Sequence, residues 1–304
     1  EVNGRPAPLA ADLDNSLLFV GRRDLPCVTS YRFNSLTGDL IHVDDGPKLQ
    51  GDPCYISLDK TNKYILSAYY EAGAVSVHSN NEGIFTGEKV WIQTGNGAHC
   101  IFTDLDNSHA LLPHIAGERG INTILKYNFN EDTGMLSPSE RESVKQPDNR
   151  GPRHYTFHPS GEYVFFSNEQ DSSVTSYRYQ EGDMEELHTI STLPAHYAGV
   201  NTCAQIKITP NGKFLYAPNR GHNSLAGFSI NSNTGQLKSI GRTQTEAIPR
   251  VLDIDGKGQF LYSAGLETGF ISAFRISDTG SLQFIDRFQV GKEPMWILIL
   301  PVSE

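Results

Sequence analysis

A short aromatic and aliphatic segment recurs along the chain, and each copy follows a turn of Gly or polar residues. The copies begin at Leu17, Tyr64, Tyr163, Phe214 and Phe260, with a weaker one at His109. A short apolar segment precedes each copy, and a segment of alternating polar and apolar residues follows it, which is typical of β-strands. Consecutive copies lie 45 to 54 residues apart. This interval fits four short strands and their turns.

A tight turn leads into the fourth strand of the repeating unit. Its sequence, Asn-x-x-Thr-Gly-x-Leu, begins at Asn34, Asn130 and Asn231, and the shorter Thr-Gly-x-Leu begins at Thr279. Glycine supplies the positive φ that such a turn requires. Because no long stretch combines helical periodicity with capping residues, the pattern predicts an all-β protein of four-stranded antiparallel units.

Four-stranded units repeated radially are the blades of a β-propeller. We expect one propeller domain over residues 1–304, with six full blades and a first strand of another in residues 291–301. This arrangement favours the seven-bladed type, in which the N-terminal strands of the closing blade, roughly 30 residues, would be missing before Glu1. The alternative is a six-bladed ring with one extra strand. An open ring would leave unpaired strand edges, which proteins normally avoid.

Composition excludes several classes of protein. The 304 residues carry a net charge of −10, which disfavours a nucleic-acid partner. No apolar run approaches the roughly 20 residues that cross a bilayer, so we expect no membrane partner. Four cysteines without a C-x-x-C pair argue against a zinc ribbon and a disulfide scaffold. With no visible signal peptide, they favour a cytoplasmic location.

Candidate chemistry lies where the first strand of a unit begins and where the second strand ends, since in a propeller both positions face the central channel. The segments before the first strands carry His99, Arg153, His154, Arg250 and Trp296, and those after the second strands carry Tyr70, Glu169 and Arg220. Arginine, histidine and glutamate together suit an anionic substrate and proton transfer. The histidines have no metal-binding spacing, and no nucleotide-binding glycine motif occurs, so we expect neither metal nor cofactor.

The segments GPRHYTFHPSGEYVFFSNEQDSSVTSY, IPRVLDIDGKGQFLYSAG and GKEPMW resemble the lactonase family of seven-bladed β-propellers. The similarity covers essentially the whole chain, although the loop at 114–120 is irregular. The family includes 6-phosphogluconolactonases and carboxymuconate lactonizing enzymes. The resemblance implies a catalytic group of His99, Arg153, Glu169 and Arg250. Around this group we expect His154, Arg220, Tyr70 and Trp296 to bind substrate.

The resemblance implies a hydrolase that opens a sugar lactone, most simply a 6-phosphogluconolactonase-like enzyme of the pentose phosphate pathway. Either His99 or Glu169 would be the general base, and Arg153 and Arg250 would hold the phosphate or the oxyanion. A cycloisomerase of the carboxymuconate type would use the same four residues. A propeller that only binds a ligand or protein is the third possibility. In a purely structural interpretation, His99 would hydrogen-bond to the backbone and His154 would have no catalytic role. Arg153 and Arg250 would tie neighbouring blades together, and Glu169 would simply pair with one of these arginines.

Overall fold

The computed structural model describes residues 4–117 and 120–301 of the chain; Glu118 and Arg119 of the irregular loop lie outside this part. The described residues form 24 β-strands in six four-stranded antiparallel sheets. In every sheet the strands follow one another in sequence order. The predicted four-stranded antiparallel unit is therefore confirmed. None of the described segments forms a helix that could cross a membrane.

The chain divides into two compact units. The first comprises Glu1–Gln146 with Leu300–Glu304, and the second comprises Pro147–Ile299. The first unit contains sheet 1, with β1 (Pro6–Asp12), β2 (Leu17–Arg22), β3 (Cys27–Phe33) and β4 (Leu40–Asp44); sheet 2, with β5 (Tyr55–Leu58), β6 (Tyr64–Tyr69), β7 (Ala74–Asn81) and β8 (Ile84–Gln93); and sheet 3, with β9 (Phe102–Thr103), β10 (His109–His114), β11 (Thr123–Asn130) and β12 (Met135–Lys145).

The second unit contains the other three sheets. They are sheet 4, with β13 (Pro152–Phe157), β14 (Tyr163–Asn168), β15 (Ser173–Gln180) and β16 (Asp183–Ser191); sheet 5, with β17 (Lys207–Ile208), β18 (Phe214–Asn219), β19 (Ser224–Ile230) and β20 (Leu237–Gln244); and sheet 6, with β21 (Pro249–Ile254), β22 (Phe260–Gly265), β23 (Phe270–Ile276) and β24 (Leu282–Gln289).

Burial is greatest in the second strand of a sheet and least in the fourth. All six residues of β14 are buried, whereas β24 is exposed along nearly its whole length. Neighbouring sheets pack through the turn that precedes the fourth strand. A Cβ on Gly235 would lie only 2.4 Å from the ring of Tyr163, and Gly235 has a φ of +68°. The glycine of the Thr-Gly turn is therefore required both by the turn and by this close approach.

A bulge opens the first strand of several sheets and positions one residue in each. In sheet 4, Pro152 pairs with Asn168 and His154 pairs with Ser167, so that Arg153 is the extra residue. Pro249 and Val251 bracket Arg250 in the same way in sheet 6. We call this feature the first-strand bulge.

A similar pairing occurs at the start of two other sheets. In sheet 3 of the first unit, an isolated bridge joins Ala98 to His114, and His99 follows Ala98. In sheet 5 the equivalent bridge joins Cys203 to Asn219, and Ala204 follows. The residue that follows the paired position is thus a histidine in sheet 3, an arginine in sheets 4 and 6 and an alanine in sheet 5.

The segment of residues 290–301 departs from the sequence-based expectation. It is described, but it forms no strand, because none of the described strands pairs with it. Ile297 packs against Val251 and Ala264 of the second unit. The N–H of Ile299 donates to Asp253 Oδ2 at 2.9 Å. The segment thus lies against sheet 6 without completing a strand pair.

Candidate active site

A cluster of oppositely charged side chains lies in the second unit. Arg153 occupies the first-strand bulge of sheet 4, Glu169 follows β14, and Arg220 follows β18. Arg153 Nε lies 2.7 Å from Glu169 Oε2, and Arg220 Nη2 lies 3.0 Å from Glu169 Oε1. One carboxylate therefore joins guanidinium groups from two different sheets.

Backbone hydrogen bonds hold Glu169 in this position. Its N–H donates to the Gly151 carbonyl at 2.6 Å, and its carbonyl accepts from the Cys203 N–H at 3.1 Å. Glu169 is thereby tied to the start of sheet 4 on one side and to the start of sheet 5 on the other. Arg220 is fixed through the Cys203 carbonyl, which accepts from its Nη2 at 2.9 Å. Glu169 and Arg220 are thus preorganised by local backbone contacts.

The cluster is largely withdrawn from water. Arg153 is 2% exposed, and the side chains of Glu169 and Arg220 are each 14% exposed. Burial by itself raises the pKa of Glu169, but the charges of Arg153, Arg220 and Arg250 together outweigh it and hold the pKa below its ordinary value. Glu169 is therefore ionised at neutral pH and is a weak proton acceptor.

Arg250 and His154 lie in the same electrostatic environment as the charged cluster of the second unit. His154 is buried, and its pKa lies well below the ordinary value because of burial first and then the positive charges of Arg153 and Arg250. The imidazole is therefore neutral at physiological pH. Its ring centroid lies 6.3 Å from that of Trp296. The field of Arg250 reaches both Glu169 and His154.

The first unit holds the other two predicted residues. The rings of Tyr70 and His99 meet edge to face, with centroids 5.7 Å apart. His99 is 6% exposed, and its N–H donates to the Pro113 carbonyl at 3.0 Å. The Gly97 N–H donates to the Tyr70 carbonyl at 3.2 Å. Tyr70 and His99 are thus neighbours, as their places in the repeat suggest.

Within each unit, the structure brings some of the predicted site residues into contact with one another. In the second unit Arg153 and Glu169 are in direct contact, and Trp296 lies beside His154; in the first, Tyr70 lies beside His99. The expectation that all of them face one channel mouth stays a prediction. Glu169 contacts Arg153, and its role there, catalytic or structural, stays a prediction.

The contact between Arg220 and Glu169 was missed at the sequence level, where Arg220 was assigned to substrate binding. A signal for it existed. Asn168 and Asn219 end the second strands of adjacent sheets, and the residues that follow them, Glu169 and Arg220, carry opposite charges. Among the described residues, no three His, Cys, Asp or Glu side chains are grouped as a metal site. That no metal or cofactor is needed remains a prediction.

Comparison with known proteins places the chain in a family. The family model described as lactonase, 7-bladed β-propeller, matches residues 1–299. The 6-phosphogluconolactonase of Erwinia tasmaniensis is 33% identical over 298 residues, which are 97% of this chain and 88% of that protein. The 6-phosphogluconolactonase of Serratia proteamaculans is also 33% identical, over 304 residues that are 99% of this chain and 90% of that protein.

A solved structure supports the same fold. The periplasmic gluconolactonase of Pseudomonas aeruginosa superposes with a TM-score of 0.86 at 22% identity, covering 93% of this chain and 85% of that one. At this identity the likeness concerns the fold alone. It agrees with an all-β propeller whose four-stranded antiparallel sheets are the blades. The chain belongs to the lactonase family of β-propellers.

Proposed function

We propose that this protein is a lactone hydrolase whose substrate is an anionic sugar lactone, with 6-phosphogluconolactone the leading candidate. The observation that carries the proposal is the buried cluster of Arg153, Glu169 and Arg220, in a chain that is one third identical to proteins named 6-phosphogluconolactonase. Buried guanidinium groups held in place are suited to a phosphate or carboxylate, because their planar donors bind such groups bidentately.

The cluster suits the chemistry of ester opening. Attack of water on a lactone carbonyl develops negative charge on the carbonyl oxygen, and fixed donors in a site withdrawn from water stabilise that charge. Arg153, Arg220 and Arg250 are three positive groups against the single negative charge of Glu169. This excess of positive charge favours an anionic substrate and an anionic transition state.

We assign Glu169 to positioning and His99 to general base catalysis. A carboxylate whose pKa is held low by arginines accepts a proton poorly, whereas it holds Arg153 and Arg220 in place. Histidine is the side chain that most often serves as a base near neutral pH. His99→Ala should lower kcat at least about a hundredfold, the usual contribution of a general base. A kcat within threefold of the parent protein would remove His99 from this role.

The decisive experiment measures lactone hydrolysis directly. We expect opening of 6-phosphogluconolactone, followed by acid release in a pH-stat, to be faster than opening of the unphosphorylated gluconolactone at equal concentration. Equal rates for the two would remove the phosphate from the proposal. Carboxymuconate should be left unchanged, and its cyclisation by this protein would establish the cycloisomerase instead. Binding of these ligands without turnover would favour a binding propeller.

The finer features of the fold and location belong to the same proposal. We propose a seven-bladed propeller in which residues 291–301 belong to the seventh blade. In support, Glu293-Pro294 repeats the positive φ followed by proline that Ile248-Pro249 shows at the first-strand bulge of sheet 6. We also propose a cytoplasmic location, in line with four cysteines that contain no C-x-x-C pair. Fractionation of cells with an antibody against the protein tests the location.

A further inference from the structure

The segment of residues 245–249 leads into the first-strand bulge that carries Arg250 in sheet 6. Within it, Ile248 has a φ of +53°, which lies in the left-handed region. For a β-branched residue this backbone conformation is strained, and it persists only where the surrounding structure holds it. The position of Arg250 therefore depends on the contacts that fix this segment.

The corresponding position is a glycine in two other sheets. Gly151, two residues before Arg153, has a φ of +70°, and Gly97, two residues before His99, has a φ of +90°. Glycine adopts a positive φ without steric cost. Of these three sheets, sheet 6 alone has a β-branched residue at this position, so it needs a compensating interaction that the other two do not.

Glu246 supplies such an interaction. Its side chain is 8% exposed, although it lies in a connecting segment. Its Oε1 accepts from Ser272 Oγ of β23 at 2.8 Å, and its Oε2 accepts from Arg287 Nη2 of β24 at 2.9 Å. Both oxygens are hydrogen-bonded and the charge is paired, as a buried carboxylate requires. One carboxylate thus ties the segment to the third and fourth strands of its own sheet.

The groups around Glu246 are fixed as well. The guanidinium carbon of Arg287 lies 3.9 Å from the centroid of the Phe270 ring, which is a cation–π contact. At the end of β22, a Cβ on Gly265 would collide with Glu246 Cβ and would lie 2.9 Å from the Ala247 carbonyl oxygen. Glu246 is therefore packed closely against the strand that pairs with the bulge.

Backbone hydrogen bonds hold the segment on either side of Glu246. The Thr245 N–H donates to the Asn223 carbonyl at 3.0 Å, and the Ile248 N–H donates to Asn223 Oδ1 at 3.0 Å. The Ile248 carbonyl accepts from the Leu266 N–H at 3.0 Å. These bonds fix the two ends of the segment, and the Glu246 carboxylate anchors its middle.

We propose that Glu246 is a positioning residue, which holds residues 245–249 in their strained path and thereby places Arg250 for the substrate. The proposal rests on the proposed function for the role of Arg250. Glu246 acts through the backbone. Without its carboxylate, Ile248 relaxes towards a negative φ, and the backbone that carries Arg250 moves with it.

The kinetics of 6-phosphogluconolactone opening test this role. Glu246→Ala should lower kcat/KM at least tenfold. Glu246→Gln should stay within threefold of the parent protein, because its amide can accept from Arg287 and donate to Ser272 Oγ. Glu246→Ala combined with Ile248→Gly should stay within threefold of Ile248→Gly alone, since glycine removes the strain that Glu246 opposes.

Leu261→Ala is the matched control for a loss of stability. Leu261 is fully buried near the start of β22, whereas the bulge pairs with the end of that strand. Its truncation should lower the midpoint of urea unfolding and leave kcat/KM within twofold. Full activity in Glu246→Ala, or a tenfold loss that persists when Ile248→Gly is the background, would overturn the proposal.

A second measurement does not depend on lactone hydrolysis. The Nε–H resonance of Arg250, assigned by its absence in Arg250→Lys, should shift in Glu246→Ala. In the Ile248→Gly background, Glu246→Ala should leave it in place. If the parent protein opens no lactone but the resonance behaves in this way, the proposed function fails and the placement of Arg250 by Glu246 is supported. An unmoved resonance in Glu246→Ala would overturn that placement, whatever the activity.

Discussion

Sheets 4 and 5 begin in the same way and carry different chemistry. In each, a residue at the start of the sheet pairs with an asparagine that ends the second strand: Pro152 with Asn168, and Cys203 with Asn219. The residue after this paired position is Arg153 in sheet 4 but Ala204 in sheet 5. The residue after the asparagine is Glu169 in sheet 4 and Arg220 in sheet 5.

The comparison shows that equivalent backbone positions in two sheets can carry different side chains that meet in one cluster. The paired position and the strand end recur in sheets 4 and 5, so the repeat supplies positions, and a single side chain at each position supplies charge. Sheet 4 contributes one positive and one negative group, and sheet 5 contributes a second positive group. Because Glu169 contacts both arginines, the cluster depends on the side chains being different in adjacent sheets.

The largest effect is expected from removing the negative charge that joins the two sheets. Glu169→Gln leaves Arg153 and Arg220 close together without their shared carboxylate, and breaking a largely buried ion pair costs about 3 kcal/mol of stability. We expect lower unfolding free energy in urea and a higher KM for an anionic lactone, since the arginines are no longer held.

The pH profile separates positioning from catalysis in this variant. If Glu169 only positions the arginines, the acidic limb of kcat against pH should not move in Glu169→Gln. A kcat lost with KM unchanged, together with a displaced acidic limb, would instead make Glu169 the base. Glu185→Gln, on an exposed residue of the same sheet, is the control for the loss of one carboxylate.

A smaller effect is expected from keeping the charge of sheet 4 and changing its geometry. Arg153→Lys retains a positive charge but loses the planar fork of donors. We expect kcat/KM for a phosphorylated lactone to fall at least about tenfold, or 1.4 kcal/mol. Arg178→Lys, also in sheet 4 but exposed, should leave kcat/KM unchanged. Full activity in Arg153→Lys would mean that charge alone is needed at the bulge.

Acid should destabilise the protein through Glu169, the negative group that sheet 4 contributes to the cluster. The folded-state pKa of Glu169 lies below its ordinary value of 4.5. Its stabilising contribution is therefore present above about pH 4.5 and is lost as the pH falls through the folded-state pKa. Urea unfolding of Glu169→Gln should be less sensitive to pH in this range than that of the parent protein. Equal sensitivity in the two would contradict the lowered pKa.

The smallest effect is expected at Ala204, the uncharged residue that follows the Cys203–Asn219 pair at the start of sheet 5. Ala204 is fully buried, and its carbonyl accepts from Ser167 Oγ at 2.8 Å. Ala204→Ser adds a buried hydroxyl, which costs about 1 kcal/mol of stability, and kcat/KM should stay within twofold. A loss of activity as large as that of Arg153→Lys would show that the backbone at this position, rather than the side chain it carries, determines the chemistry.

The second strands were the most predictable part of the fold. The predicted copies starting at Leu17, Tyr64, His109, Tyr163, Phe214 and Phe260 coincide with the first residues of β2, β6, β10, β14, β18 and β22. These strands are almost wholly buried, so their apolar runs are a local signal that needs no knowledge of neighbours. The tail at 291–301 has a similar apolar run but forms no strand, because a strand also requires a partner with which to pair.

By itself, the sequence determined the repeating unit, its antiparallel strands, the tight Thr-Gly turns and the places where charged residues would be carried. Those features follow from side-chain periodicity and from local backbone preferences, which short segments express alone. Only the tertiary structure decided that Glu169 contacts Arg220 as well as Arg153 and that arginines hold its pKa low. These depend on distances between residues far apart in the chain and on exclusion of water. Neither the distances nor the exclusion of water can be read from a single segment of the sequence.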